Sequence, residues 1–138
     1  MSNEKRIWGA LLHFGYNMWS DIPLERPDKK VPDYAKNFPY AAKEMRFDYG
    51  LWKDVTAKMA AGGMNMLVVD VGEGMRYPSH PELAVRDGWS PERVSEEVSR
   101  LRALGLEVIP KLNFSTSHDA WLGDYQRMVS TEEYYRVC

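Results

Sequence analysis

The sequence predicts an α/β fold with parallel strands. Short apolar runs of strand length alternate with stretches of helical periodicity, and a helix–glycine–strand junction occurs twice, at Gly62-Gly63 and at Gly105. That alternation implies parallel strands joined by right-handed crossovers. A third observation chooses the architecture: polar and aromatic residues follow each of the three strands. A doubly wound sheet fits in about 140 residues but usually carries about four or five strands. A closed barrel takes about 250 residues and gathers its site at the strand ends. With three strands in 138 residues, the expected architecture is the first three β/α units of a TIM-type (β/α)8 barrel. Residues 1–138 would be its truncated N-terminal portion.

The elements follow in order. Ile7 to Phe14 is a short, nearly continuous apolar run, as a strand buried on both faces reads. Residues 22–45 show neither helical nor strand periodicity and hold Pro23, Pro27, Pro32 and Pro39. They read as a long Pro-rich insertion after the first strand, either functional or a plain surface loop. Asp48 to Ala61 reads as a helix, with Asp48 as N-cap and Leu51, Trp52, Val55 and Met59 on its apolar face. Gly62-Gly63 stops it in the manner of a left-handed C-terminal cap. The second strand is Met64 to Val71. The next helix opens with Ser90, Pro91 and Glu92, buries Val94, Val98, Leu101 and Leu104, and ends at Gly105. The third strand is Leu106 to Asn113, where Pro110 removes a ladder donor and predicts an irregularity. Ser130 with Glu133 forms a capping box, which opens a last helix of about two turns.

Composition narrows the function. Net charge is −2 with no basic run, which disfavours nucleic acid and anionic membranes as partners. No apolar stretch approaches the roughly 20 residues of a membrane span. The polar start, Met1 to Arg6, is not a signal peptide, leaving the cytoplasm, or secretion after leader removal, both open. Cys138 is the only cysteine, so neither an internal disulfide nor a cysteine zinc site is expected. Glycine-rich nucleotide loops and a Gly-x-Ser-x-Gly turn are absent from the sequence. His13, His80, His118 and Asp70 lack metal-ligand spacing. Neither a cofactor nor a metal is therefore expected.

In parallel α/β folds ligands gather at the carboxyl ends of the strands. After the first strand come His13, Asn17 and Trp19; after the second, Asp70 and Glu73; after the third, Lys111, Asn113, His118 and Trp121. Sugars present apolar C–H faces and a dense ring of hydroxyls, and this mixture of indoles with hydrogen-bonding side chains is the matching surface. These nine residues are the candidate substrate-binding set. Each has a structural alternative. Asp70 could be a buried, paired carboxylate, Glu73 an exposed loop acid, Lys111 a cap on a neighbouring carboxylate, and His13 a core histidine. His118 precedes Asp119, which could simply cap a helix. His80, between Pro78 and Pro81, reads as structural.

Four segments in order carry a resemblance: Tyr77-Pro78-Ser79-His80-Pro81-Glu82-Leu83, Gly88-Trp89-Ser90, Gly105 to Pro110, and His118-Asp119-Ala120-Trp121. Between about Met64 and Trp121 the chain resembles the front part of the catalytic barrel of β-N-acetylhexosaminidase-like glycoside hydrolases. The sequence departs from that family where Lys111 stands in place of an acidic residue after Val-Ile-Pro. It departs again where Asn113 to His118 replaces an Asp-x-Pro-Gly-His loop. The resemblance implies a carbohydrate substrate and glycoside hydrolysis by the full-length form. The family's Asp-Glu pair would follow a fourth strand, beyond residue 138. By the family's logic one carboxylic acid protonates the glycosidic oxygen while a second group stabilises an oxocarbenium-like transition state. Two rival readings remain. One is a non-catalytic carbohydrate-binding or self-associating small α/β domain, since three parallel strands leave open edges. The other is a barrel aldolase with Lys111 as a Schiff-base amine.

Overall fold

A computed structural model describes residues 6–14, 44–113, 120–125 and 131–137. Its centre is a three-stranded parallel sheet in the order β1 (Gly9–His13), β2 (Met66–Asp70), β3 (Glu107–Lys111). The first pair runs in register from Gly9 opposite Met66 to His13 opposite Asp70, the second from Met66 opposite Glu107 to Asp70 opposite Lys111. Helix α1 (Tyr49–Ala61) links the first pair and α2 (Pro91–Ala103) the second. The Pro-rich stretch expected at 22–45 lies outside the described residues, apart from Glu44 and Met45.

The caps explain where the helices lie. The Asp48 carboxylate accepts from the Leu51 N–H at 2.9 Å, and the Ser90 hydroxyl accepts from the Arg93 N–H at 3.3 Å. Each satisfies a donor that the first turn leaves over. Both helices are left through a glycine at positive φ, Gly63 at 90° and Gly105 at 87°, a conformation that costs other residues about 1 kcal/mol or more.

Alternation along the strands divides the sheet into two faces. Leu67, Val69, Val71 and Val108 point to one side, where with Phe14 and Leu106 they pack on Trp52 of α1 and Leu101 of α2. Gly9, Leu11, His13, Met66, Val68, Asp70, Glu107, Ile109 and Lys111 share the other side. There Leu11 and Ile109 remain exposed. Leu51 and Leu104, expected in the core, are exposed as well, whereas Thr56 and Glu97 are buried. Thr56 tolerates burial because its hydroxyl donates to the Trp52 carbonyl at 2.8 Å. Glu97 bridges the helices. It accepts from the Trp52 indole N–H at 2.7 Å, the Tyr49 hydroxyl at 3.0 Å and the Arg100 guanidinium at 2.5–3.1 Å.

Two expectations require correction. The first three units of a TIM-type barrel are not what forms. Two complete β–α–β crossovers make a small open sheet. After β3 the described residues hold only a 3₁₀ turn, Ala120–Tyr125, and the six-residue α3 (Glu132–Val137). Strand–helix alternation is common to all parallel α/β folds, while closure depends on strand number and shear, which local periodicity does not encode. The second correction concerns Pro110, which sits in a regular strand. Glu107 N–H donates to the Asn65 carbonyl, and Val71 N–H to that of Lys111. Residues 107, 109 and 111 therefore turn their amides towards β2. Pro110 turns its nitrogen outward, where no ladder bond is lost.

Candidate functional site

The register of the sheet sets His13, Asp70 and Lys111 side by side, on the face opposite the helices and at the carboxyl end of all three strands. The strands splice into their following loops in the same plane: Phe14 N–H donates to the Asp70 carbonyl at 2.7 Å, and Val71 N–H to that of Lys111 at 3.0 Å. Asp70 is the hub. Its carboxylate is 4% exposed, and its Oδ2 meets the Lys111 ammonium at 3.2 Å and the His13 Nδ1 at 3.5 Å. The Asn113 amide also donates to that oxygen, and the Lys111 ammonium donates in turn to the Asn113 Oδ1. A buried carboxylate needs such partners. The Lys111 and His13 side chains stay about one-third open to solvent, at 34% and 29%. Asp70 Oδ1 receives no hydrogen bond from the described residues.

Beside this hub the chain makes a tight 3₁₀ turn, Gly72–Gly74, carrying Glu73, which is buried. Gly74 has no room for a side chain: a Cβ there would lie 2.5 Å from the Phe14 ring and 2.6 Å from the Phe14 carbonyl. The Phe14 ring is itself locked edge-on against Trp89 at 4.5 Å and tilted on Phe47 at 4.8 Å. The aromatic cluster thus presses the turn into place. Tyr77 closes the turn by donating its hydroxyl to the Gly72 carbonyl at 2.7 Å. Burial, then the Glu73 and Asp70 carboxylates, push that phenol well above its ordinary value of 10.

Trp121 is buried, with its ring 5.8 Å from that of Tyr77, and its indole N–H donates to the Asn113 carbonyl at 2.7 Å. It touches the hub by holding Asn113. Of the nine candidates, then, His13, Asp70, Lys111 and Asn113 form one hydrogen-bonded group. Glu73 and Trp121 flank it. Asn17, Trp19 and His118 lie outside the described residues. His80, expected to be structural, has its Nδ1 3.0 Å from Glu82 Oε1. Tyr77 was absent from the candidate set. Its sequence signals are an aromatic residue shortly after Gly72-Glu73-Gly74 and its place at the head of the Tyr77-to-Leu83 segment. No group of three or more metal-ligating side chains clusters among the described residues, and no helix among them is long and apolar enough to cross a membrane.

Chemically, an acceptor flanked by an ammonium, an imidazole and an amide offers donors and acceptors within one small area. The chain matches no known family model and no curated protein.

Proposed function

We propose that this protein binds carbohydrate at the carboxyl ends of its three strands. Asp70 would be the central acceptor, and His13, Lys111 and Asn113 would contact neighbouring hydroxyls. The observation that carries this reading is Asp70 itself. It is a buried carboxylate with one oxygen crowded by protein donors and the other receiving none from the described residues. Buried acceptors are seldom left without a partner, and a ligand hydroxyl is a donor of the right kind. The sequence resemblance to β-N-acetylhexosaminidase-like hydrolases supports a sugar ligand and extends the reading to glycoside hydrolysis. Within that chemistry Asp70 binds substrate and is not the proton donor. A carboxylate accepting from an ammonium and an amide is acting as an acceptor.

The test is calorimetric titration with chitopentaose, cellopentaose and xylopentaose, alongside turnover of aryl glycosides. At least one oligosaccharide should bind. Asp70→Asn should weaken it roughly tenfold or more, the size expected for a hydrogen bond to a charged group. If turnover is seen, the variant should raise KM and leave kcat within a few-fold. Equal affinity in wild type and Asp70→Asn would remove Asp70 from the site. Silence towards all three sugars in wild type would refute the carbohydrate reading. Binding without turnover would leave a carbohydrate-binding domain rather than a hydrolase.

A further inference from the structure

A second set of contacts leads away from the hub to the surface. The Tyr125 hydroxyl donates to Glu82 Oε1 at 2.7 Å, and the same oxygen lies 3.0 Å from His80 Nδ1. The His80 and Tyr125 rings meet edge-on at 5.7 Å. Tyr125 ends the Ala120–Tyr125 turn, and Trp121 stands one turn earlier in it. Trp121 is wedged on Tyr77 and bonded to the Asn113 carbonyl, and the Asn113 side chain is bonded to both Asp70 and Lys111. The path from Glu82 to Asp70 therefore runs through the Glu82–Tyr125 bond, the backbone of the Ala120–Tyr125 turn, and the Trp121–Asn113 and Asn113–Asp70 bonds. Residues 43 positions apart are joined by the Glu82–Tyr125 bond, which ties two short 3₁₀ turns together, Pro81–Leu83 and Ala120–Tyr125. Each turn is held only by i→i+3 bonds, whose geometry is poorer than that of an α-helix.

From this path we infer that Glu82 and Tyr125 are positioning residues for the strand-end site. They clamp the Ala120–Tyr125 turn so that the Trp121 indole fixes Asn113 against Asp70. The clamp lies at the surface, outside the ligand-contacting group, and sets where the amide of Asn113 stands. Glu82 is suited to the part. Hydrogen bonds from the Tyr125 hydroxyl, its own backbone and His80 hold its carboxyl down at about 2, against an ordinary 4.5. The acceptor form therefore persists through any physiological pH.

The inference concerns ligand binding only by resting on the carbohydrate reading, so its test begins without ligand. In the uniformly ¹⁵N-labelled full chain, which has five tryptophans, the Trp121 indole signal is assigned by its loss in Trp121→Phe and the Asn113 side-chain amide by its loss in Asn113→Ala. In Tyr125→Phe and in Glu82→Gln that signal should shift, and its proton should exchange roughly threefold faster, the scale of one exposed hydrogen bond. The Trp52 indole, which donates to Glu97 between the helices, should stay unchanged and so report an intact fold. The Asn113 side-chain amide signals should move in both variants. Chitopentaose affinity should fall by a similar factor of about three. An unmoved Trp121 indole and Asn113 amide in both variants would overturn the inference. A simultaneous change at Trp52 would overturn it as well, by showing a general loosening. If the indole responds and no oligosaccharide binds the wild type, the positioning path stands and only the carbohydrate reading falls.

Discussion

Glu97 is the sharpest test of how the two helices are held on the sheet. It is 4% exposed, and Trp52, Tyr49 and Arg100 all donate to it. Glu97→Gln preserves volume but presents an amide N–H₂ to at least one donor. A hydrogen bond to a charged group contributes about 1.5–3 kcal/mol, and breaking a fully buried pair costs about 3–5 kcal/mol. Arg100 keeps 28% of its side chain in solvent, so the cost falls below the fully buried range and in the upper part of the first, about 2–3 kcal/mol. An unfolding entropy of about 2.1 cal/mol/K per residue gives about 0.3 kcal/mol/K for a chain of this length. Tm should therefore fall by about 7–10 °C. The effect should also depend on pH. Burial opposes the charge of Glu97, but hydrogen bonds from Arg100, Trp52 and Tyr49 outweigh it and leave the carboxyl below its ordinary 4.5. A depressed carboxyl contributes stability that is present above the unfolded value and lost as pH falls through the folded one. The wild-type advantage should thus be full at pH 7 and shrink steadily below about pH 4.5. Scanning calorimetry of both proteins between pH 3 and pH 7 measures this. A Tm difference under about 2 °C at pH 7, or one that stays constant down to pH 3, would refute the reasoning.

Two further outcomes follow from the site. Gly74→Ala forces a Cβ into the Phe14 ring and carbonyl, and overpacking of that kind costs about 1–3 kcal/mol; the urea midpoint should drop accordingly, and an unchanged midpoint would mean the turn is not pressed against Phe14. Tyr77 should be a late-titrating phenol, because burial and two carboxylates raise it. The wild type minus Tyr77→Phe difference in phenolate absorbance should therefore be flat through pH 10 and rise only at higher pH, and an ordinary titration near 10 would contradict its burial. The sign for stability is the reverse of that for Glu97: the Tyr77 contribution is whole below pH 10 and is lost as pH climbs above it.

The features legible in the sequence are the local ones. Asp48, Ser90 and Pro91 mark helix starts because capping involves residues three apart, and Gly63 and Gly105 mark exits because few other residues take their φ. Longer-range outcomes were not legible. Leu51 satisfies the helical period of α1 but is exposed, while its neighbour Trp52 takes the place in the core. Glu97 looks like surface charge until α1 brings Trp52 and Tyr49 to it from 45 and 48 positions away. The barrel was expected from the number of strands and the polar, aromatic residues at their ends, neither of which encodes closure, and among the described residues the sheet stays open. The site divides in the same way. His13, Asp70 and Lys111 could be grouped in advance because parallel strands bring their ends to one level. Tyr77 and the Glu82–Tyr125 bond depend on the shapes of irregular turns, which carry no periodic signal.

The outward nitrogen of Pro110 makes the two margins of the sheet unequal. Any strand laid along the outer side of β3 would find the row of donors interrupted at its middle, a deficit of about 1 kcal/mol for one ladder bond. The outer side of β1, with no proline from Gly9 to His13 and with Ile7, Trp8 and Leu11 exposed, has no such interruption. Strand addition, whether by a partner chain or in aggregation, is therefore biased towards the β1 margin, and Pro110 guards the other.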